Sequence, residues 1–152
     1  MLDILKNLFA ALGEGDKSPD QFGPDDYRVA AAALLIHVMS VDGSDDAAEQ
    51  NRLRTILQQQ FLLDDEAADR LIAAATAADR EAIDLYQFTS LLNRTLDEAG
   101  RLRIVEMMWE IVFADGKVNE FEDNVLWRAA DLLHISAHDR IAMRRRVAGS
   151  AP

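Results

Sequence analysis

The chain of 152 residues contains no cysteine, and this absence excludes several kinds of site at once. Disulfide bonds, thiolate metal sites, iron–sulfur clusters and cysteine nucleophiles all depend on a thiol. Basic residues are also scarce, with 16 Lys and Arg against 27 Asp and Glu and a formal net charge of −11. A protein that binds nucleic acid through its phosphates needs a basic face, so no nucleic-acid partner is expected. Cations and basic partners suit this charge better.

Long apolar runs and the motifs of common enzymes are missing as well. The longest apolar run, residues 29–39, is interrupted by His37 and is shorter than the roughly 20 residues that cross a bilayer. The sequence has no Walker loop, GxSxG elbow, HExxH motif or glycine-rich dinucleotide turn. These absences predict a noncatalytic protein without a membrane span, and the lack of cysteine fits a reducing, cytoplasmic compartment.

Helical periodicity runs through most of the chain, and no segment shows the strict alternation of a half-buried strand. The pattern predicts an all-α, single-domain bundle of about seven to eight helices. Residues 1–12 form a predicted amphipathic helix, residues 13–23 a linker, and residues 24–148 the helical domain. Within that domain, helices are expected at about residues 24–40, 46–60, 64 onward, 84 onward, 101–113, 120–133 and 137 onward.

Two helical hairpins share one plan, and the separation of Asp42 from Asp115 sets their offset at 73 residues. In each hairpin an apolar helix is followed by a short acidic loop and a second helix, and the shared pattern is D-G-x5-E. The identical or similar pairs are Arg28–Arg101, Val38–Ile111, Asp42–Asp115, Gly43–Gly116, Asp46–Asn119, Glu49–Glu122, Leu53–Leu126 and Leu62–Ile135. The sequence therefore predicts two related helical-hairpin halves.

The paired acidic loops allow two interpretations. Hard cations such as calcium and magnesium bind carboxylates and free carbonyls, which both loops offer. In the register of an EF-hand, however, Asp115 and Glu122 fill only the fifth and twelfth ligand positions, so one loop alone would bind weakly. The second interpretation is helix capping, with Asp46 and Asn119 as N-caps and a glutamate three residues later as the capping-box partner. From the residues alone, capping is favoured.

The chain resembles the TerB-like tellurite-resistance family over residues 25–147. The resemblance is carried by FADGKVNEFEDNVLWRAADLLHIS and by its weaker first-half counterpart SVDGSDDAAEQNRLRTIL. It implies an all-helical domain of two related halves that binds a divalent metal and acts in a stress-response assembly with protein partners, some of them membrane-associated. The metal ligands that it implies are Asp42, Glu49, Asp115 and Glu122, with Asp46 and Glu120 as helpers.

Oxygen ligands of this kind favour calcium or magnesium over zinc. Ala47 stands where the second half has Glu120, so the two loops need not bind equally. The alternative function is a helical protein–protein interaction module in which the acidic residues only cap helices.

Other residues that could have a chemical function are interpreted as structural. Glu106 and Glu110 lie one helical turn apart and could act as general acid and base, but Arg103 on the same face favours a solvated ion-pair stripe. Trp109 and Trp127 fall at apolar helical positions and are expected in the core. The three histidines are interpreted as ordinary surface or core residues rather than metal ligands.

The opening helix needs a cover for its apolar face. That face consists of Leu2, Ile4, Leu5, Leu8, Phe9 and Leu12. Docking on its own domain is favoured, because large exposed apolar patches are uncommon on soluble monomers. A second copy of the chain, giving a homodimer, and another protein are the alternative covers. A membrane surface is the least favoured, since Lys6 is the only basic residue of the segment.

Overall fold

The computed structural model describes residues 21–23, 25–40, 47–114 and 120–150. Within these ranges it contains seven α-helices and no strand, which confirms the all-α prediction. The helices are α1 (Tyr27–Ser40), α2 (Ala47–Phe61), α3 (Asp65–Glu81), α4 (Tyr86–Thr95), α5 (Glu98–Val112), α6 (Glu120–Leu132) and α7 (Ala137–Ser150). The predicted opening helix at residues 1–12 lies outside the described residues, as does most of the predicted linker.

Two helices begin three residues away from their predicted starts, α1 later and α5 earlier. An aspartate side chain sets the boundary in both places. The carboxylate of Asp26 accepts a hydrogen bond from the amide of Arg28 at 2.9 Å, and Asp97 accepts one from the amide of Gly100 at 2.9 Å. Each aspartate thereby satisfies an amide of the first turn that has no partner within the helix.

Helix α1 lies at the centre of the bundle. It contacts α2, α3, α4, α5 and α6, and residues from Ala30 to Leu35 are at most 3% exposed. The run of four alanines lets neighbouring helices approach closely, because small side chains keep the interaxial distance short. None of the described helices, α1 included, is long and apolar enough to cross a membrane.

The sequence offset between the two halves decreases by one residue at the end of the second helix of each half. Leu62 after α2 and His134 after α6 both have positive φ, at 55° and 63°. The amides of the next residues, Leu63 and Ile135, each donate to a helix carbonyl five residues back at 3.0 Å, as in a Schellman motif. The predicted pairing of Leu62 with Ile135 is therefore wrong, and the equivalent of Ile135 is Leu63.

A third helix belongs to each half, so the repeat is longer than the predicted hairpin. The caps Asp64 and Ser136 accept hydrogen bonds from the amides of Ala67 and Asp139 at 2.8 and 3.1 Å. Helix α3 then packs on α1 as α7 packs on α5. At the new offset, buried residues again coincide: Leu71 with Met143 and Ala75 with Val147. Each half is a three-helix unit, and α4 connects them.

Equivalent core positions in the two halves should contribute similarly to stability. Leu53 and Leu126 are each 1% exposed, so Leu53→Ala and Leu126→Ala should each lower the free energy of unfolding by about 2–5 kcal/mol in urea denaturation. Gln59→Ala is the control, because Gln59 is exposed on α2 and its truncation should change stability by at most about 0.5 kcal/mol. A large loss in only one half would contradict an equal role for the two halves in the core.

Candidate metal centre

Two of the six predicted metal ligands, Glu49 and Glu122, have described side chains. Glu120 is the first residue of α6, and the position of its side chain is outside the description. The remaining three also lie outside the described residues: Asp42, Asp46 and Asp115.

Glu49 and Glu122 are buried at the same position of the two halves. Each is the third residue of its helix, and they are 5% and 3% exposed. A buried carboxylate is costly unless hydrogen bonds or a positive charge compensate it, and the amino end of a helix supplies part of that charge. By contrast, Glu66 and Glu98, which also lie in a first helical turn but follow no D-G-x5-E loop, are exposed. Among the first-turn glutamates whose side chains the structure describes, Glu49 and Glu122 are therefore the buried ones.

The described residues do not form a complete metal site by themselves. Among residues 21–23, 25–40, 47–114 and 120–150, no three His, Asp or Glu side chains lie close enough to hold a metal ion. A site that uses Glu49 and Glu122 would need further oxygen ligands from the acidic loops. The donor chemistry is consistent, because both motif residues are carboxylates and the chain contains no thiol.

A groove of about 750 Å³ runs between α2, α5 and α7, and we call it the loop groove. Its lining comprises Ala48, Asn51, Arg52, Thr55, Glu106, Glu110, Phe113, Ala114, Arg146 and Val147. Ala48 follows Asp46 by two residues, and Ala114 immediately precedes Asp115. The chain therefore leaves the first acidic loop and enters the second beside the same groove.

An ion-pair network forms one wall of the loop groove. Arg103 Nη1 lies 2.5 Å from Glu106 Oε1 and 2.7 Å from Glu110 Oε1, and its Nε donates to Gln60 Oε1 at 2.9 Å. Arg146 of α7 pairs with the other oxygen of Glu106. Burial opposes the charge of Arg103, but hydrogen bonds to Glu110 and Glu106 outweigh it and raise its pKa. The predicted pairing is confirmed, although the glutamates are half-buried rather than solvated.

The two tryptophans have different environments. Trp109 is 1% exposed, as expected for the core, whereas Trp127 is 39% exposed, so its predicted core position is wrong. The guanidinium of Arg140 lies 3.6 Å from the centroid of the Trp127 ring and donates to the Trp127 carbonyl at 3.2 Å. Sequence reasoning missed Arg140, which is buried. The signal that could have identified it is its helical spacing, because the buried Met143 and Val147 follow it by three and seven residues on α7.

The histidines take separate structural positions. Nδ1 of His37 lies 2.9 Å from Asp79 Oδ1 and so joins α1 to α3. His134 adopts the positive φ that ends α6, and His138 is exposed in the first turn of α7. Because a helix boundary separates His134 from His138, their four-residue spacing does not place them on one helical face.

The ion pair between Glu106 and Arg146 should contribute to stability in a salt-dependent way. A double-mutant cycle of Glu106→Gln and Arg146→Gln should give a coupling energy of about 0.5 kcal/mol in urea denaturation, and the coupling should fall at high salt. The control cycle replaces Arg146→Gln by Arg145→Gln, an exposed neighbour, and should show no coupling. Equal coupling in both cycles would contradict a specific pair.

Comparison with known proteins places these features in a family. The family model described as "Tellurite resistance protein TerB" matches residues 28–145, which extend from the start of α1 into α7 and include both halves of the repeat. No curated protein and no solved structure matches the chain. Because the match covers more than half of the sequence, the chain belongs to the TerB family of tellurite resistance proteins.

Proposed function

We propose that this chain is a noncatalytic TerB domain that binds a divalent cation through its two D-G-x5-E loops. The burial of Glu49 and Glu122 at equivalent positions carries the proposal. Both carboxylates follow an acidic loop in the sequence and are withdrawn from water, whereas the first-turn glutamates Glu66 and Glu98 are exposed. At a buried position, water weakens the attraction between a carboxylate and a divalent cation less than it does at the surface, which favours binding there.

The residues that flank the two loops support a shared site, although neither Glu49 nor Glu122 lines the loop groove itself. Ala48 and Ala114, which flank the two loops in the chain, line the same groove. One loop offers too few carboxylates for strong binding, whereas two loops together offer at least four, enough for one calcium or a pair of magnesium ions. The ligands of the shared site are Asp42, Glu49, Asp115 and Glu122, assisted by Asp46 and Glu120. Calcium or magnesium is preferred to zinc because every one of these ligands is a carboxylate.

Cation binding should raise the melting temperature of the protein. At about 100 times its dissociation constant, a cation held only by the folded state adds about 2.7 kcal/mol, which is roughly 5–10 °C for a chain of this size. Calcium, magnesium, manganese and zinc are compared in a thermal melt. The double variant Asp115→Asn/Glu122→Gln should lose the rise while its circular dichroism keeps the helical signal.

The matched control is Glu66→Gln/Glu98→Gln, which also removes two negative charges, in this case from exposed side chains outside the D-G-x5-E motifs. It should keep the full rise. A rise that survives in the loop variant would place the cation elsewhere in the protein. A parent protein that shows no rise with any of the four cations would leave helix capping as the role of the loops and favour the interaction-module function.

The cellular role we propose is participation in a cytoplasmic stress-response assembly of the tellurite-resistance type, together with a protein partner. The description of the matching family names tellurite resistance and supports that part of the role. Cells that lack the chain should recover tellurite tolerance with the parent protein and with the Glu66→Gln/Glu98→Gln control. They should not recover it with Asp115→Asn/Glu122→Gln. Equal recovery with all three proteins would separate the role from cation binding.

A further inference from the structure

We propose that residues 1–12 dock as a helix into a partly apolar groove of their own domain, between α1, α3 and α4. This groove, here called the α3–α4 groove, has a volume of about 580 Å³. Its apolar lining includes Phe22, Ala74, Ala77, Ala78, Phe88 and Leu91. The inference concerns a surface remote in sequence from the acidic loops and does not depend on cation binding.

The described chain starts at the end of this groove, at a fixed point. Phe22 packs against the core and lines the groove. The guanidinium of Arg28 lies 4.5 Å from the centroid of the Phe22 ring. Nη2 of Arg28 in turn lies 2.6 Å from Oδ2 of Asp26. The described chain therefore begins beside the α3–α4 groove.

The connecting residues are long enough for the opening segment to return along the groove. Eight residues, 13–20, lie between the segment and the described chain; fully extended, they reach about 26 Å. A helix of 12 residues is about 18 Å long. The alanines of α3 permit close approach of such a helix, since their side chains are short.

Apolar side chains at the end of the groove remain exposed on the described surface. The turn between Glu81 and Gln87, two residues that line the groove, exposes Ile83 by 99% and Tyr86 by 64%. The opening segment carries six large apolar side chains at helical spacing, with Asp3, Lys6 and Asn7 on the opposite face. Docking would remove apolar surface of both partners from water, and burial of this kind stabilises association.

A tethered segment has an advantage over the same segment of a second copy. A short flexible linker holds its segment at an effective concentration in the millimolar range. At micromolar protein concentration, the segment of the same chain therefore outcompetes that of another molecule. For this reason the occupant is the chain's own residues 1–12.

The absence of cysteine from the chain allows a direct test. Single-cysteine variants Leu8→Cys and Asn7→Cys of the full chain place a thiol on the apolar and the polar face of the opening segment. Docking predicts that a thiol-alkylating reagent modifies Leu8→Cys several-fold more slowly than Asn7→Cys under native conditions. In denaturant the two rates should become equal.

A second substitution in the groove identifies the docking site. Ala77→Arg fills the groove and should abolish the protection of Leu8→Cys. Ala73→Arg is the matched control, because Ala73 lies one turn earlier on α3, is also exposed and does not line the groove. It should leave the protection intact, and circular dichroism of both variants reports on folding. Sedimentation gives the mass of each protein in solution.

Protection that Ala77→Arg removes and Ala73→Arg preserves, in a monomer, is the expected result. Equal alkylation rates for Leu8→Cys and Asn7→Cys in the native protein would overturn the proposal. So would protection that neither arginine substitution affects, which would place the segment elsewhere on the domain. A dimer mass with protection that weakens on dilution would assign the groove to a second copy of the chain.

Discussion

The fold depends on a helix that has no polar face. Nearly every side chain of α1 from Val29 to Met39 is apolar and buried, so this helix can be stable in water only if other helices surround it. Five helices of the domain do so. Because the alanines of its first half occupy little space, these neighbours pack close to one axis.

The second constraint is repetition. Helix α5 is the counterpart of α1, is also largely buried, and packs on α2, α6 and α7. Two units of the same plan thus lie against each other through their first helices, which contact directly. In both units the acidic loop joins the carboxyl end of the first helix to the amino end of the second. Duplication of the fold therefore duplicates the position of the motif glutamate, and with it the burial seen at Glu49 and Glu122.

Helical periodicity was sufficient to predict the helices, because it is local. The starts of α3 and α7 lie within one residue of their predicted positions, directly after the caps Asp64 and Ser136, whereas the caps Asp26 and Asp97 were missed. Features that depend on tertiary packing were not predictable in the same way. The exposure of Trp127 depends on where α7 places Arg140, and an apolar pattern on α6 alone contains no such information. The single-residue change in the offset between the halves likewise depends on where the second helix ends, because the second half has one residue fewer at that point.

The third helix of the repeat was missed for a related reason. Similarity between α3 and α7 is confined to caps and buried positions, and buried positions tolerate exchange of one apolar residue type for another of similar volume. Leu71 and Met143 are equivalent in the structure but differ in type. The two halves differ more at Arg140, whose equivalent in α3 is the buried Ala68. In the second half the charged side chain of Arg140 occupies this position and stacks on the Trp127 ring.

Capping and cation binding are compatible uses of the same first-turn carboxylates. A glutamate near the amino end of a helix is favoured by the local dipole whether or not a metal is present, so capping alone explains why Glu49 and Glu122 occur there. Their position within the turn also differs from that of the exposed first-turn glutamates. Glu49 and Glu122 are the third residues of their helices, which is the capping-box position, whereas Glu66 and Glu98 are the second and the first. A glutamate at the third position reaches back towards the helix end, so its burial is compatible with capping. A carboxylate has two oxygens, and one of them can accept a hydrogen bond from a backbone amide while the other binds a cation. Capping and cation binding therefore do not compete for the same oxygen atom.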